Sequence, residues 1–478
     1  MTILWDAQDV AAAIGATERS GWKAQRVTSD SRKLQAGDLF IALKGEHFDG
    51  HDFVAEALRQ GASAAIVSCE PKGCAGDVRL IRVADTLHAL QQLGKAGRER
   101  STAKVVGVTG SVGKTSCKEA LALAFGAQAR TYASQGNLNN HIGLPLMLAN
   151  MPPLTEVAII EMGMNHAGEI ALLSSLAQPD VAIITAVEAV HIEFFDSVEA
   201  IADAKSEISV GLRSGGTLLL PSDNPHFARL TQSAKDYGVT NIRAFGAGEA
   251  ALPRLLDYQV HAAGSRARIL TSKGEIDLHM QAVGRHWAVM MSGVLAAVEA
   301  LGYDVTLATK ALAAFSEPSG RGRALKQLLK NGVEIMILDD SYNASPASMR
   351  AALARLDDIW RAQGSTGRKL AALGDMRELG DHAASMHRDL APDLTRYGVN
   401  QLYACGSHMR GLYDAVPQAM QGHWATSVDE LAQALLPVLK NGDILLVKGS
   451  RGSAMDKVVS AIATDNTQSD QRKTSHVV

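Results

Sequence analysis

The sequence predicts an α/β fold in three domains, a small α/β N-terminal module followed by two doubly wound parallel-sheet domains. Three observations predict it. The 478 residues are too many for one ordinary core, since domains average about 150 residues. From Lys104 onward, short β-branched apolar runs alternate with helical stretches, the pattern of a parallel sheet covered by helices. That alternation breaks near residues 315–323 and then resumes.

The first domain, residues 1–83, holds apolar runs at 39–43 and 64–67 around turn-rich segments at 44–46 and 48–50. Leu87, Leu90 and Leu93 among charged residues predict a helix over 85–100, which opens a second domain at residues 84–317. There, runs at 105–108, 157–160 and 181–185 end respectively at a glycine loop, at Glu161 and at a loop reaching His191. Phe315-Ser316-Glu317-Pro318-Ser319-Gly320-Arg321-Gly322-Arg323 reads as a linker or an ordered loop. In the third domain, residues 318–478, runs at 335–338, 370–373, 402–404 and 444–447 end at Asp339-Asp340, Gly374-Asp375, Cys405-Gly406-Ser407 and Lys448-Gly449-Ser450-Arg451. Each polar ending falls where such sheets bind ligands, beyond the carboxyl ends of the strands. The polar tail after about Ala463 reads as disordered.

Composition excludes several classes of function. The 47 basic and 50 acidic residues nearly cancel, so no global charge favours a nucleic-acid partner or an anionic membrane. Cys69, Cys74, Cys117 and Cys405 form no C-x-x-C pair, which argues against a zinc ribbon or a disulfide framework and fits a reducing compartment. No apolar run approaches membrane-spanning length, and the first residues lack a basic region followed by an apolar stretch. A soluble, cytoplasmic protein is expected.

Gly110-Ser111-Val112-Gly113-Lys114-Thr115-Ser116 lies between a predicted strand and a predicted helix. Backbone N–H groups of such a loop and the helix N-terminus converge on phosphate oxygens. Lys114 would then bind the outer phosphates and Thr115 a magnesium ion. The strict pattern has a further glycine where Val108 stands here. Glu161, at the end of a neighbouring strand, can approach that magnesium, although alone it reads as a carboxylate meeting water. His191 alone is more often a hydrogen-bonded or surface histidine, and Lys205, in a plausible amphipathic helix over 197–211, is by default a solvated lysine. Asn137-Leu138-Asn139-Asn140-His141-Ile142-Gly143 suits either the orientation of substrate or a capping and turn cluster. Ser345 can cap a helix that begins at Pro346.

Together these segments resemble the Mur ligase family over residues 26–460, nearly the whole chain. The resemblance includes Ser29-Asp30-Ser31-Arg32, Gly37-Asp38-Leu39-Phe40, Asp49-Gly50-His51 and the 109–115 loop. It continues through Asn137 to Gly143, Glu161-Met162-Gly163, His191-Ile192-Glu193 and Ala204-Lys205-Ser206-Glu207. Asp340-Ser341-Tyr342-Asn343-Ala344 and Gly374-Asp375-Met376 with Glu378-Leu379-Gly380 point to the branch that adds D-alanyl-D-alanine to a UDP-N-acetylmuramoyl-tripeptide. Where the family has an asparagine-rich stretch after Gly284-Arg285-His286, this chain continues Trp287-Ala288-Val289-Met290.

The resemblance implies an ATP-dependent ligase of peptidoglycan synthesis. It implies that the first domain holds the UDP end of the substrate, that the second binds ATP, and that the third closes on ATP and seats the dipeptide. Catalytic roles fall on Lys114, Lys205, Arg321, Asn137 and Asn140, and nucleotide contacts on the 110–116 loop, Arg321 and Asp340. Metal ligation, at two expected Mg2+ sites, falls on Thr115, Glu161, His191 and Lys205, the last as a carboxylated lysine. Substrate contacts fall on Ser31, Arg32, Asp49, Asn343 and Lys448. No nucleic-acid or membrane partner is expected, and the chain is expected to be a monomer. The alternatives are a sibling ligase adding a single amino acid and a nucleotide switch that ligates nothing.

Overall fold

The computed structural model describes residues 3–17, 21–134, 136–261 and 263–464. The tail beyond Thr464 lies outside the described residues. Three parallel-sheet systems carry the fold, in the order the apolar runs predict.

Nearest the N-terminus, strands Arg26–Thr28, Asp38–Ile41, Ala64–Val67 and Leu80–Arg82 form one parallel sheet in sequence order. Its two faces are separately covered, Leu39 and Ile41 on one side, Phe40 and Ala42 on the other. This explains a continuous apolar run where a half-exposed strand would alternate. The predicted helix is observed as Thr86–Glu99, with Asp85 capping the N–H groups of Leu87 and His88. It crosses the helix Gly143–Ala149 so closely that a methyl group on Gly97 would stand 2.3 Å from the Leu148 carbonyl. The Asn150 side chain then exchanges hydrogen bonds with the backbone of Val27, tying the first sheet to the second.

The central sheet has six parallel strands in the order Asn241–Phe245, Thr217–Pro221, Val181–Ile184, Lys104–Thr109, Val157–Glu161 and Thr131–Ala133. Lys104–Thr109 lies between Val181–Ile184 and Val157–Glu161, so the glycine loop, Glu161 and the loop toward His191 emerge side by side at one end. Strands Arg254–His261, Gly264–Thr271 and Gly274–Met280 form a separate antiparallel sheet. Its buried residues join the core of the helix Arg285–Ala300.

In the third sheet the order is Arg323–Leu328, Glu334–Asp340, Ile444–Lys448, Lys369–Gly374, Gln401–Cys405 and Gln421–Ala425. Only Arg323–Leu328 runs antiparallel to its neighbour. Asp340 and Lys448 are paired in register at the ends of adjacent strands. The segment before this sheet is an ordered loop: the Glu317 carboxylate accepts from the Val283 N–H and from Arg355, which also donates to the Val283 carbonyl. No helix among the described residues is long and apolar enough to cross a membrane.

Candidate active site

The glycine loop is held by bonds that need its glycines. A methyl group at Gly110 would stand 1.9 Å from Thr185 Oγ1, the hydroxyl that donates to the Val112 and Thr109 carbonyls at 2.6 and 3.2 Å. Gly113, at φ 83°, turns the chain into the helix Lys114–Gly126. Ser111 fixes the other side, its N–H donating to Ala186 and its hydroxyl to the Glu188 carbonyl. The Lys114 ammonium folds onto the loop, donating to the Gly110 carbonyl at 2.6 Å and toward that of Ser111 at 3.4 Å. Burial holds the lysine below its ordinary range, an effect opposed by Glu161 and reinforced by Arg321.

Glu161 is 2% exposed. One oxygen accepts from the Asn139 side-chain amide at 2.8 Å, while the other is buried without a partner among the described residues. A buried carboxylate oxygen left bare is costly, so this atom marks a place where something else binds. Lys205 is 3% exposed, and its side-chain amine has no hydrogen-bond or ion-pair partner among the described residues. The expectation of a solvated lysine fails here: burial, with Lys114 nearby, pushes its amine well below the ordinary lysine range. The signal was present in the sequence, since Ala202, Ala204, Ser206 and Ile208 give the residue small or apolar neighbours. Its helix is also shorter than the predicted one, ending at Ser206 and tightening over Glu207–Ser209.

The asparagine cluster divides. Asn140 Oδ1 accepts from the N–H groups of Ile142 and Gly143, the capping arrangement, and Asn137 is exposed. Asn139, which the sequence does not single out from its neighbours, is the amide that reaches Glu161. His191, at φ 61°, places Nδ1 2.5 Å from Glu378 Oε2 across the junction between the second and third sheets.

From the third sheet, Lys448 donates to Asp340 at 2.7 Å and to the Asn343 carbonyl at 2.9 Å. Burial raises the Asp340 carboxyl and the Lys448 ammonium opposes that rise. The Arg321 guanidinium lies over the Tyr342 ring at 4.3 Å, with Arg451 near the same ring at 5.8 Å. Burial holds the His286 imidazole down at about 3, with Arg355 and Lys448 adding to the effect, in the first turn of the helix Arg285–Ala300. Trp287 and Met290 are buried at 7% and 8% exposure and serve packing.

The remaining expected contacts lie on the first sheet. Asp30 caps the turn Ser31–Lys33 and pairs with the exposed Arg32 at 2.9 Å. Asp49 lies 2.6 Å from His51 Nδ1, and His51 Nε2 accepts from the Ser68 N–H at 2.9 Å. His51, part of the quoted Asp49-Gly50-His51 segment, thus ties that turn to Ser68.

Both large sheets thus direct strand-end cations and carboxylates toward each other. Three family models match the chain in order: the Mur ligase family catalytic domain over residues 23–98, the Mur ligase middle domain over 108–298, and the Mur ligase glutamate ligase domain over 325–451. The UDP-N-acetylmuramoyl-tripeptide–D-alanyl-D-alanine ligase of Rickettsia prowazekii is 34% identical over 96% of this chain and 99% of its own length. The chain belongs to the Mur ligase family.

The Mur ligase of the same description from Escherichia coli K12 is 33% identical, covering 92% of this chain and 94% of its own. Among solved Mur ligases, MurF from Acinetobacter baumannii superposes with a TM-score of 0.85 at 29% identity, covering 96% and 99% of the two chains. MurF from Thermotoga maritima in complex with ADP gives 0.80 at 28% identity, covering 92% and 97%.

Proposed function

We propose that this Mur ligase joins D-alanyl-D-alanine to the terminal carboxylate of a UDP-N-acetylmuramoyl-tripeptide, converting ATP to ADP and phosphate. The observation that carries the reading is the convergence of Lys114, the bare oxygen of Glu161, the buried Lys205 and Arg321 where two doubly wound sheets face one another. We assign residues 1–83 to the UDP end, 84–317 to ATP and 318–478 to closure and the dipeptide.

A carboxylate is a poor electrophile, so it must first be activated. Its oxygen attacks the terminal phosphorus of ATP, giving an acyl phosphate and ADP, and the dipeptide amine then displaces phosphate through a tetrahedral intermediate. Two anions meet in the first step. Lys114 and Arg321 supply fixed positive charge around the transferring group, as catalysis of phosphoryl transfer requires. Arg321 is pre-positioned for this by its stack on Tyr342.

Among the described residues no three His, Cys, Asp or Glu side chains form a metal cluster. The donor set still fits magnesium. Glu161 offers a desolvated oxygen, Thr115 a hydroxyl at the helix start and His191 an imidazole, and Lys205 becomes an anionic oxygen donor once its amine captures carbon dioxide. Mg2+ bound there would neutralise charge on the phosphates. Asn139 orients Glu161, while docking of the third sheet over the loop excludes the water that hydrolyses an acyl phosphate.

The test is a coupled assay of ADP release with the tripeptide nucleotide and D-alanyl-D-alanine supplied together and separately. Release should require both. Equal release with a single amino acid would assign a sibling ligase, and release without any acceptor would assign a nucleotide switch. For the modified lysine, Lys205→Ala should lose activity and regain part of it with short-chain carboxylic acids. An absence of rescue, together with an unmodified lysine by mass spectrometry, would remove the carbamate.

A further inference from the structure

The segment Gly374-Asp375-Met376-Arg377-Glu378-Leu379-Gly380 has no role in the mechanism above, yet it is built with care. Met376 and Leu379 are buried at 1% and 2% exposure, and they flank the far more open Glu378. The Met376 N–H donates to His387 Nε2 at 2.9 Å and the Arg377 N–H to the Ser450 hydroxyl at 2.9 Å, so the turn is anchored on one side to the helix Ala383–Arg388 and on the other to the loop after Ile444–Lys448. Glu378 itself has φ 62°, and the residue it meets, His191, has φ 61°. A left-handed backbone is uncommon in residues other than glycine, and here one on each side brings the two side chains together.

The contact involves backbone as well as side chains. The Glu193 N–H donates to the Glu378 carbonyl at 3.3 Å, and the short turns Ile192–Phe194 and Gly380–His382 adjoin. Glu378 Oε2 lies 2.5 Å from His191 Nδ1, although outside the geometry of a formed hydrogen bond. Such a pair, with the glutamate 45% exposed, adds little to stability. Its chemistry suggests another purpose. An imidazole binds a cation through one nitrogen in its neutral form, and a carboxylate accepting the proton on the other nitrogen fixes both the tautomer and the ring orientation.

We propose that Glu378 is a positioning residue for the metal site: it arrives from the third sheet, holds His191 by Nδ1 and leaves Nε2 to the divalent cation. The central unit therefore completes its cation site only with the third sheet docked, which couples metal binding to closure. This rests on the reading of His191 as a metal ligand.

The experiment is a double-mutant cycle on Mn2+ affinity, read by electron paramagnetic resonance of the full-length protein with ADP. The variants are Glu378→Ala, Glu378→Gln, His191→Ala and the His191→Ala/Glu378→Ala pair. Glu378→Ala should weaken Mn2+ binding about 10- to 100-fold, Glu378→Gln should restore part of the loss, and the pair should bind no more weakly than His191→Ala. Unchanged affinity in Glu378→Ala, or the same loss repeated in the His191→Ala background, overturns the inference. Tighter binding in Glu378→Ala also overturns it, since Glu378 would then compete for the imidazole. If His191→Ala leaves the affinity unchanged, the ligand reading itself falls. If only Glu378→Ala does so, the ligand reading survives without this inference.

Discussion

The two large sheets face each other, but their strand ends are finished in opposite ways. On the third sheet and its approach the charges are paired: Lys448 with Asp340, Arg355 with Glu317. On the central sheet, Lys114 rests on carbonyls of its own loop, one Glu161 oxygen is bare, and the Lys205 amine has no partner among the described residues. Buried polar groups are satisfied as a rule, so the unpaired end is the one that ligands complete. The paired end serves as a firm wall brought against it.

The sharpest way to break this contrast is Lys114→Ala. Among the described residues its ammonium donates only to Gly110 and Ser111, so the unfolding midpoint should stay where it is, while substrate-dependent ADP release falls on the order of 10³-fold. Turnover retained at the original rate would take the loop out of the chemistry.

On the paired side the response should reverse, with stability moving most. Arg355 and Glu317 are 4% and 7% exposed, and removing one partner of a buried pair typically costs about 3–5 kcal/mol. Arg355→Met should therefore lower stability to urea strongly, and adding Glu317→Leu should recover much of the loss because no uncompensated charge remains. If Arg355→Met alone proves neutral, this pairing does not hold the approach to the third sheet.

Legibility in the sequence follows the same division. The parallel strands were readable because burial on both faces makes each a continuous apolar run, as in 105–108 within the observed Lys104–Thr109. The antiparallel strands at 254–280 were not read as such. Yet Arg266, Arg268, Glu275 and Asp277 stand on exposed positions that alternate with Ala267, Ile269, Ile276 and Leu278, the period-2 pattern of a half-exposed strand. Within the site, strand ends announced Glu161 and Asp340 by position alone. Which of three nearby asparagines turns to Glu161 is decided by loop geometry, and that Arg355 meets Glu317, 38 residues away, leaves no local trace. The family resemblance implied roles for Lys205 and His191 that the residues alone did not, and Lys205 is buried where the residues alone predicted a solvated lysine.

The smallest effect expected concerns the wall itself. His387 is fully buried: Nδ1 lies 2.6 Å from the Ala383 carbonyl, and Nε2 accepts from the Met376 N–H. Only a neutral ring with its proton on Nδ1 satisfies both. Burial accordingly holds the imidazole below its ordinary value of 6.5, with the Ala383 carbonyl and Asp375 opposing. In the unfolded chain the histidine takes up its proton first as pH falls, so its contribution is complete above about pH 6.5 and is lost as pH drops toward the folded value. Stability should slope downward below pH 6.5 by at most about 1.4 kcal/mol per pH unit from this one group. His387→Gln, whose amide can donate or accept at this position, should be less stable at pH 7.5 yet show a shallower decline between pH 6.5 and 5. An identical slope in both proteins would mean that His387 is protonated when folded, and the Met376 N–H would then need another acceptor to keep Glu378 in place.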